Sequence, residues 1–267
     1  MLGEKRPLGE TGIEVGRIGI SSSFGAGPDV FEEALDHGCN YFTWGTFIKG
    51  RSPQFITFIQ QLVAAGRREE VIIGLLSYSH TVTLGDMFLK SALRRLGTDY
   101  IDCLILGYYS GRPPERILEW SQRLKERGII RAIGITTHNR DTVVSLAEEQ
   151  LLDFFHFRYN AVHRGAERDI FPFLPISRPG MVSFTATCWG KLLKSKKLLP
   201  GMKPISAGDC YRFVLERDEV DICMMGVRDL QMFHDNMGVL KKGSMGYQEL
   251  EEVIALGDHL YGKKRFL

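Results

Sequence analysis

A chain of 267 residues with 44% hydrophobic and 25% charged residues fits one large α/β barrel or two small domains, and is too apolar to stay disordered. Its formal net charge of +2 leaves no basic face of the size that nucleic acid demands. Apolar runs such as 101–106 are far too short to cross a bilayer, and the opening MLGEKRPLGETG has no apolar signal core, so a cytoplasmic protein without a membrane partner is expected.

In chain order the elements alternate. Residues 5–9 and 13–21 flank the turn Glu10-Thr11-Gly12 and predict a hairpin. Residues 28–37 carry Val30, Phe31, Ala34 and Leu35 on one helical face, and Gly38 ends that helix before a strand over 39–44. A helix over 55–65 leads to a strand over 71–78, and a helix over 84–96, stopped by Gly97, leads to a strand over 100–106. Then come a helix over 113–127, a strand over 130–136, a helix over 141–149 and strands over 152–159 and 181–187. A helix over 207–217, a strand over 220–225 and a helix over 229–240 complete the alternation, and 246–261 adds one more helix.

From Ile18 onward about eight strands alternate with about eight helices, the pattern of a right-handed βα repeat. Strands such as 101–106 are apolar throughout, as parallel strands covered on both faces should be. The expected fold is therefore α/β, a single (β/α)8 TIM barrel over residues 1–267 with an N-terminal β-hairpin cap. An open doubly wound sheet would need a Gly-x-Gly-x-x-Gly turn, and FGAGPDV at Phe24 matches it only weakly. Five cysteines (39, 103, 188, 210 and 223) form no Cys-x-x-Cys pair, which predicts reduced thiols and no metal site.

Several segments resemble the aldo-keto reductase superfamily. They are RPLGETGIEVGRIGI at Arg6, HGCNYF at His37, RREEVII at Arg67, LKSALRRLGTDYIDCLIL at Leu89, RLKERGIIRAIGIT at Arg123 and RYNAVHRGAE at Arg158. Taken in order, the likeness runs from Arg6 to about Gly238. It implies a barrel in which NADP(H) or NAD(H) lies over the carboxyl ends of the strands and a carbonyl is reduced. It also implies an Asp, a Tyr proton donor, a Lys and a His. In this sequence those places fall at Thr43, Ile48 (Lys49 if the loop slips by one), Leu76 and Gly107. None of the four groups is present, so the family's usual chemistry is not expected, because fold alone confers no function.

The same resemblance puts cofactor-contacting positions at Thr136, Thr137 and His156, with Thr185 where an aromatic would stack on the nicotinamide. After the last strand Gly226, Val227 and Met232 replace polar groups, leaving Arg228 and Asn236 for the adenosine end. Lys191 and Arg228 are candidates for phosphate, which barrels of this kind often hold after strands seven and eight.

Replacement acids are sought among strand ends. Tyr78 lies two residues past Leu76, and Tyr109 two past Gly107, so both are expected to face the mouth. His138 closes the fifth strand, and a Tyr–His pair is a candidate acid at neutral pH. Trp44 and Trp189 are candidate walls of the substrate pocket. The plainer reading of each aromatic is a cap on the core. HRGAERD at His163 reads as charges paired at a helix start, KLLKSKK at Lys191 as a solvated run, and Cys188 as an ordinary thiol.

Three functions stay open: a nicotinamide-dependent oxidoreductase with a replaced proton donor, a non-redox lyase or isomerase, and a pseudoenzyme that binds a ligand or a protein partner. A small-molecule substrate is expected under the first two.

Overall fold

The computed structural model of the protein describes residues 5–46, 52–194, 196 and 198–262. β1 (Arg6–Pro7) and β2 (Glu14–Val15) pair antiparallel as a short hairpin. The turn closes with Leu8 O accepting from Thr11 Oγ1 at 2.8 Å, and Leu8, Ile13 and Val15 are fully buried. There follow β3 (Ile18–Ser21), α1 (Pro28–Asp36), β4 (Tyr41–Gly45), α2 (Pro53–Ala64), β5 (Ile72–Leu76), α3 (Val82–Leu96), β6 (Ile101–Tyr108), α4 (Glu115–Glu126) and β7 (Ile130–Thr137). The chain continues through α5 (Arg140–Glu148), β8 (Phe154–Arg158), α6 (Ala166–Asp169), β9 (Gly180–Phe184), α7 (Ala207–Leu215), β10 (Ile222–Met225), α8 (Leu230–Leu240) and α9 (Tyr247–Gly262). Strands β3 to β10 pair in parallel in chain order, and β10 returns to β3 to close the barrel.

The period of two along each strand sorts side chains into two cores. Tyr41, Ile72, Cys103, Ile105, Phe154, Val182 and Met224 fill the barrel interior, with the hairpin's Leu8, Ile13 and Val15 packed against them. Phe42, Trp44, Leu104, Leu106 and Ile135 face the helix layer. Each fully buried side chain of this size is worth about 1.5–3 kcal/mol of transfer free energy. Local signals set the helix ends. Ser52, Thr81, Asn139, Ser206 and Asp229 each accept a backbone N–H at the start of a helix, and Gly97 ends α3 in the left-handed region at φ 71°.

A polar device locks alternate strands at the amino end. Asn40, Asp102, Asp153 and Asp221 stand one residue before the inward-facing Tyr41, Cys103, Phe154 and Ile222. Each accepts a backbone N–H from the neighbouring chain segment: Gly16 at 2.9 Å, Ile73 at 2.9 Å, Ile133 at 2.8 Å and Met181 at 2.8 Å. The three carboxylates also take cations: Asp102 from Arg68 and Arg131, Asp153 from Lys125, and Asp221 from Arg178.

Three expected strands end two or three residues away from the expected position. The strand expected over 71–78 stops at Leu76, because Tyr78 turns into the left-handed region at φ 49°. The one expected over 181–187 stops at Phe184, because Thr185 does the same at φ 60°. The strand expected over 100–106 continues to Tyr108 through a register shift after Ile105. Among the described residues no helix is long and apolar enough to cross a membrane.

Candidate active site at the barrel mouth

A cavity of about 680 Å³ opens over the carboxyl ends of the strands. Its floor is made by Thr43 of β4, Leu76 of β5, Thr136 of β7, His156 of β8 and Met224 of β10. Phe24, Phe184, Trp189, Tyr211, Arg228 and Asn236 rise around it. Among the described residues that line it there is no lysine and no carboxylate, and Arg228 is the one permanent cation. Such a site is mostly apolar with a few convergent polar groups, the usual make-up of a small-molecule pocket.

The positions where the resemblance places an acid tetrad have defined occupants. Thr43 and Leu76 sit on the floor, where neither supplies a charge. Ile48 and Lys49 lie outside the described residues. Gly107 adopts φ 145°, and a Cβ there would stand 3.1 Å from Tyr78 Cα. A side chain at 107 would therefore crowd the backbone of Tyr78 and strain its own. Tyr78 itself lines the cavity, and its hydroxyl donates to Thr136 Oγ1 at 3.3 Å. Restoring the family's residue with Gly107→His is expected to cost about 1–3 kcal/mol of backbone strain, more if Tyr78 is displaced. Thermal unfolding should show a fall of several degrees.

Four other expectations are corrected by where the side chains go. Tyr109 does not reach the mouth: the register shift in β6 reverses the facing of the residues after it, so Tyr109 packs in the helix-side core, 7% exposed. Its hydroxyl has no hydrogen-bond partner among the described residues, and burial pushes its pKa up. Tyr108 takes the outward place, 41% exposed and 5.2 Å from the His138 ring. His138 is exposed and lines a different cleft, so no Tyr78–His138 acid pair exists. Its pKa is lowered by partial desolvation and then by the Arg158 guanidinium.

Trp44 follows Thr43 and so points the opposite way, 1% exposed and stacked on Phe55 at 6.3 Å, where it cannot wall the pocket. The expected cofactor set also divides: Thr136, His156, Arg228 and Asn236 line the cavity, whereas Thr137 and Lys191 do not. Thr137 Oγ1 accepts from Asn139 N at 3.1 Å, and exposed Lys191 sits on the turn after Cys188. Trp189 stands on the cavity wall.

His156 has the clearest electrostatic definition in the site. Burial holds its imidazole at a pKa of about 3, so the ring is neutral at any physiological pH. Its Nε2 lies 2.9 Å from the Tyr41 hydroxyl in the barrel interior. Burial keeps that phenol protonated, and no other acceptor for its proton exists among the described residues. Tyr41 O–H therefore donates to Nε2, which leaves the proton of the ring on Nδ1 and makes His156 a neutral N–H donor toward the cavity.

The mouth also gathers backbone strain. Tyr78, Thr185, Cys188 and Trp189 are non-glycine residues with positive φ, held by contacts such as Asn160 Nδ2 donating to Thr185 O at 2.9 Å. Strain of this kind persists where surrounding structure enforces it, and it concentrates at functional sites. Sequence reasoning did not find Phe24 and Tyr211. Phe24 comes from a 3-10 turn after β3, and its ring lies where a side chain at Gly226 would project, 2.5 Å from that Cβ position. Tyr211 reaches in from α7, a helix face that a search of strand ends passes over.

A parallel eight-stranded barrel with its pocket at the carboxyl ends of the strands is the (β/α)8 architecture shared by enzymes of many chemistries, here with a hairpin cap at the amino end. The sequence pattern of the Aldo/keto reductase family matches residues 28–197, and the chain belongs to that family. Among solved structures it is similar to the aldo-keto reductase AKR11C1 from Bacillus halodurans. The holo form superposes with a TM-score of 0.77 at 20% identity, over 95% of this chain and 96% of that one. The apo form gives a TM-score of 0.75 at 20% identity, over 95% of each chain. The Pseudomonas aeruginosa protein PA4992 gives 0.68 at 20% identity, over 89% of this chain and 94% of that one. At this level of identity these structures speak for the fold. No curated protein matches the sequence.

Proposed function

We propose that the protein is a nicotinamide-dependent reductase of small carbonyl compounds in which Tyr78 has taken over the role of proton donor. The observation that carries this reading is the packing at Gly107: the position has no side chain, the Tyr78 backbone lies against it, and the Tyr78 phenol lines the cavity. The donor set fits a nicotinamide dinucleotide. His156 Nδ1–H and the Thr136 hydroxyl can hold a carboxamide, and Arg228 and Asn236 can hold the adenosine and phosphate end. A dihydronicotinamide bound there supplies a hydride to the carbonyl carbon.

The chain's own part is proton delivery. Thr136 Oγ1 fixes the Tyr78 phenol in the free protein. A substrate oxygen replaces that acceptor, and the Tyr78 O–H proton passes to it as the C=O bond becomes C–O–H. The remaining phenolate regains a proton from water, since Tyr78 is only half-buried. Phe184, Trp189 and Met224 make much of the remaining wall apolar. Five buried cysteines, with no disulfide among the described residues, support a reading of a reducing compartment such as the cytoplasm.

Titration with NADPH and NADH tests the cofactor half of this reading. Saturable quenching of the half-exposed Trp189 is expected, with affinity at least tenfold weaker in Arg228→Ala. Absence of quenching and of calorimetric heat at millimolar nucleotide would sink it. The reading would then pass to a non-redox or ligand-binding barrel, which the uncharged floor of Thr43 and Leu76 favours.

A further inference from the structure

A second cavity, of about 550 Å³, lies between the start of α5, the segment leading into α6, and α9. His138, Arg140, Arg158, His163, Arg164 and Arg168 line it. It is separated from the first cavity by a thin wall. The Arg158 guanidinium stands 5.9 Å from the Trp189 ring, and the His138 ring stands 5.6 Å from Phe184.

The carboxylates nearby already have cations. Asp169 takes Arg140 at 2.7 Å and Arg168 at 2.6 Å, Asp258 takes Arg164 at 2.7 Å, and Glu167 takes Arg217 at 3.0 Å. Arg158, half-buried at the end of β8, has no carboxylate or carbonyl partner among the described residues. Its charge is nonetheless felt, since it helps to depress the His138 pKa. A guanidinium drawn out of water without a counterion has lost hydration that the Trp189 ring face offsets only in part, and an oxyanion supplies the rest through paired N–H···O bonds.

We propose that this cleft binds the phosphate group of a small molecule, with the Arg158 guanidinium as its anchor and His138 beside it. Phosphate is favoured over a carboxylate because Asp169 is shared between Arg140 and Arg168, so that with Arg158 the positive charge around the cleft exceeds what one carboxylate would neutralise. The first residues of α5 add the positive end of a helix to the same wall. The site stands whether or not a nicotinamide occupies the first cavity.

The test is calorimetric titration of the full chain with inorganic phosphate at constant ionic strength, repeated with acetate. Saturable phosphate binding is expected at millimolar concentration or tighter, with acetate at least tenfold weaker. Arg158→Gln should weaken phosphate binding at least tenfold and Arg158→Lys less. Phosphate should also bind equally well in the presence of saturating NADH. No saturable binding, equal binding of acetate, an unaffected Arg158→Gln protein or displacement by NADH would each overturn the proposal.

Discussion

Replacing Tyr78 with phenylalanine is expected to slow NADPH-dependent carbonyl reduction by about 10²–10⁴-fold, the usual worth of a positioned general acid. That is about 3–5 kcal/mol of transition-state stabilisation. The ring and its left-handed backbone stay in place, so nucleotide affinity should not change. Only the hydroxyl that donates to Thr136 Oγ1 is lost. Tyr109→Phe is the matched control. Its hydroxyl is buried in the helix-side core with no partner among the described residues, so removing it should leave kcat unaltered. A fall in kcat with KM preserved for Tyr78→Phe, and none for Tyr109→Phe, separates the mouth from the core. Equal behaviour of the two variants would remove Tyr78 from the mechanism.

The largest effect on stability is expected at the opposite end of the barrel. Asp102 is fully buried, accepts from Arg68 at 2.7 Å and Arg131 at 3.0 Å, and also takes the Ile73 N–H of the neighbouring strand. Asp102→Ala leaves the Arg68 guanidinium, with only 9% of its side chain exposed, without its carboxylate. Breaking a buried pair in this way costs about 3–5 kcal/mol. It also orphans a strand N–H, which adds about 1–3 kcal/mol where water cannot enter. Urea unfolding should show the midpoint falling with little change in slope. A midpoint within experimental error of the wild type would mean that the strand lock is not a source of stability.

The barrel was legible because its signals are periodic. Alternation of apolar strand runs with amphipathic helices, and glycines such as Gly38, Gly97 and Gly128 closing helices, survive any small error of boundary. The strand lock was present in the sequence as Asn40, Asp102, Asp153 and Asp221, each opening an apolar strand run. It escapes a reading that looks for carboxylates as catalysts.

The site was less legible, because facing depends on single-residue register. Thr43 and Trp44 are neighbours, yet one lines the cavity and the other is sealed behind it. The parity argument for Tyr109 held to Ile105 and then failed at the shift in β6, which no residue type announces. The same argument put Tyr78 at the mouth, where the structure has it, although the strand itself stops two residues earlier. Tyr211 and Phe24 come from a helix and a short turn, so their place depends on tertiary packing that no local pattern carries.

The central claim is that this barrel moves a hydride to a carbonyl with Tyr78 as the acid. It is tested most directly by mixing the protein with deuterium-labelled NADPH and a panel of small aldehydes and ketones, then assaying the alcohols by mass spectrometry. Deuterium on the carbinol carbon with the wild-type protein, and its near loss with Tyr78→Phe, is the predicted result. Bound NADPH with no deuterium in any alcohol, or transfer undiminished in Tyr78→Phe, would contradict it.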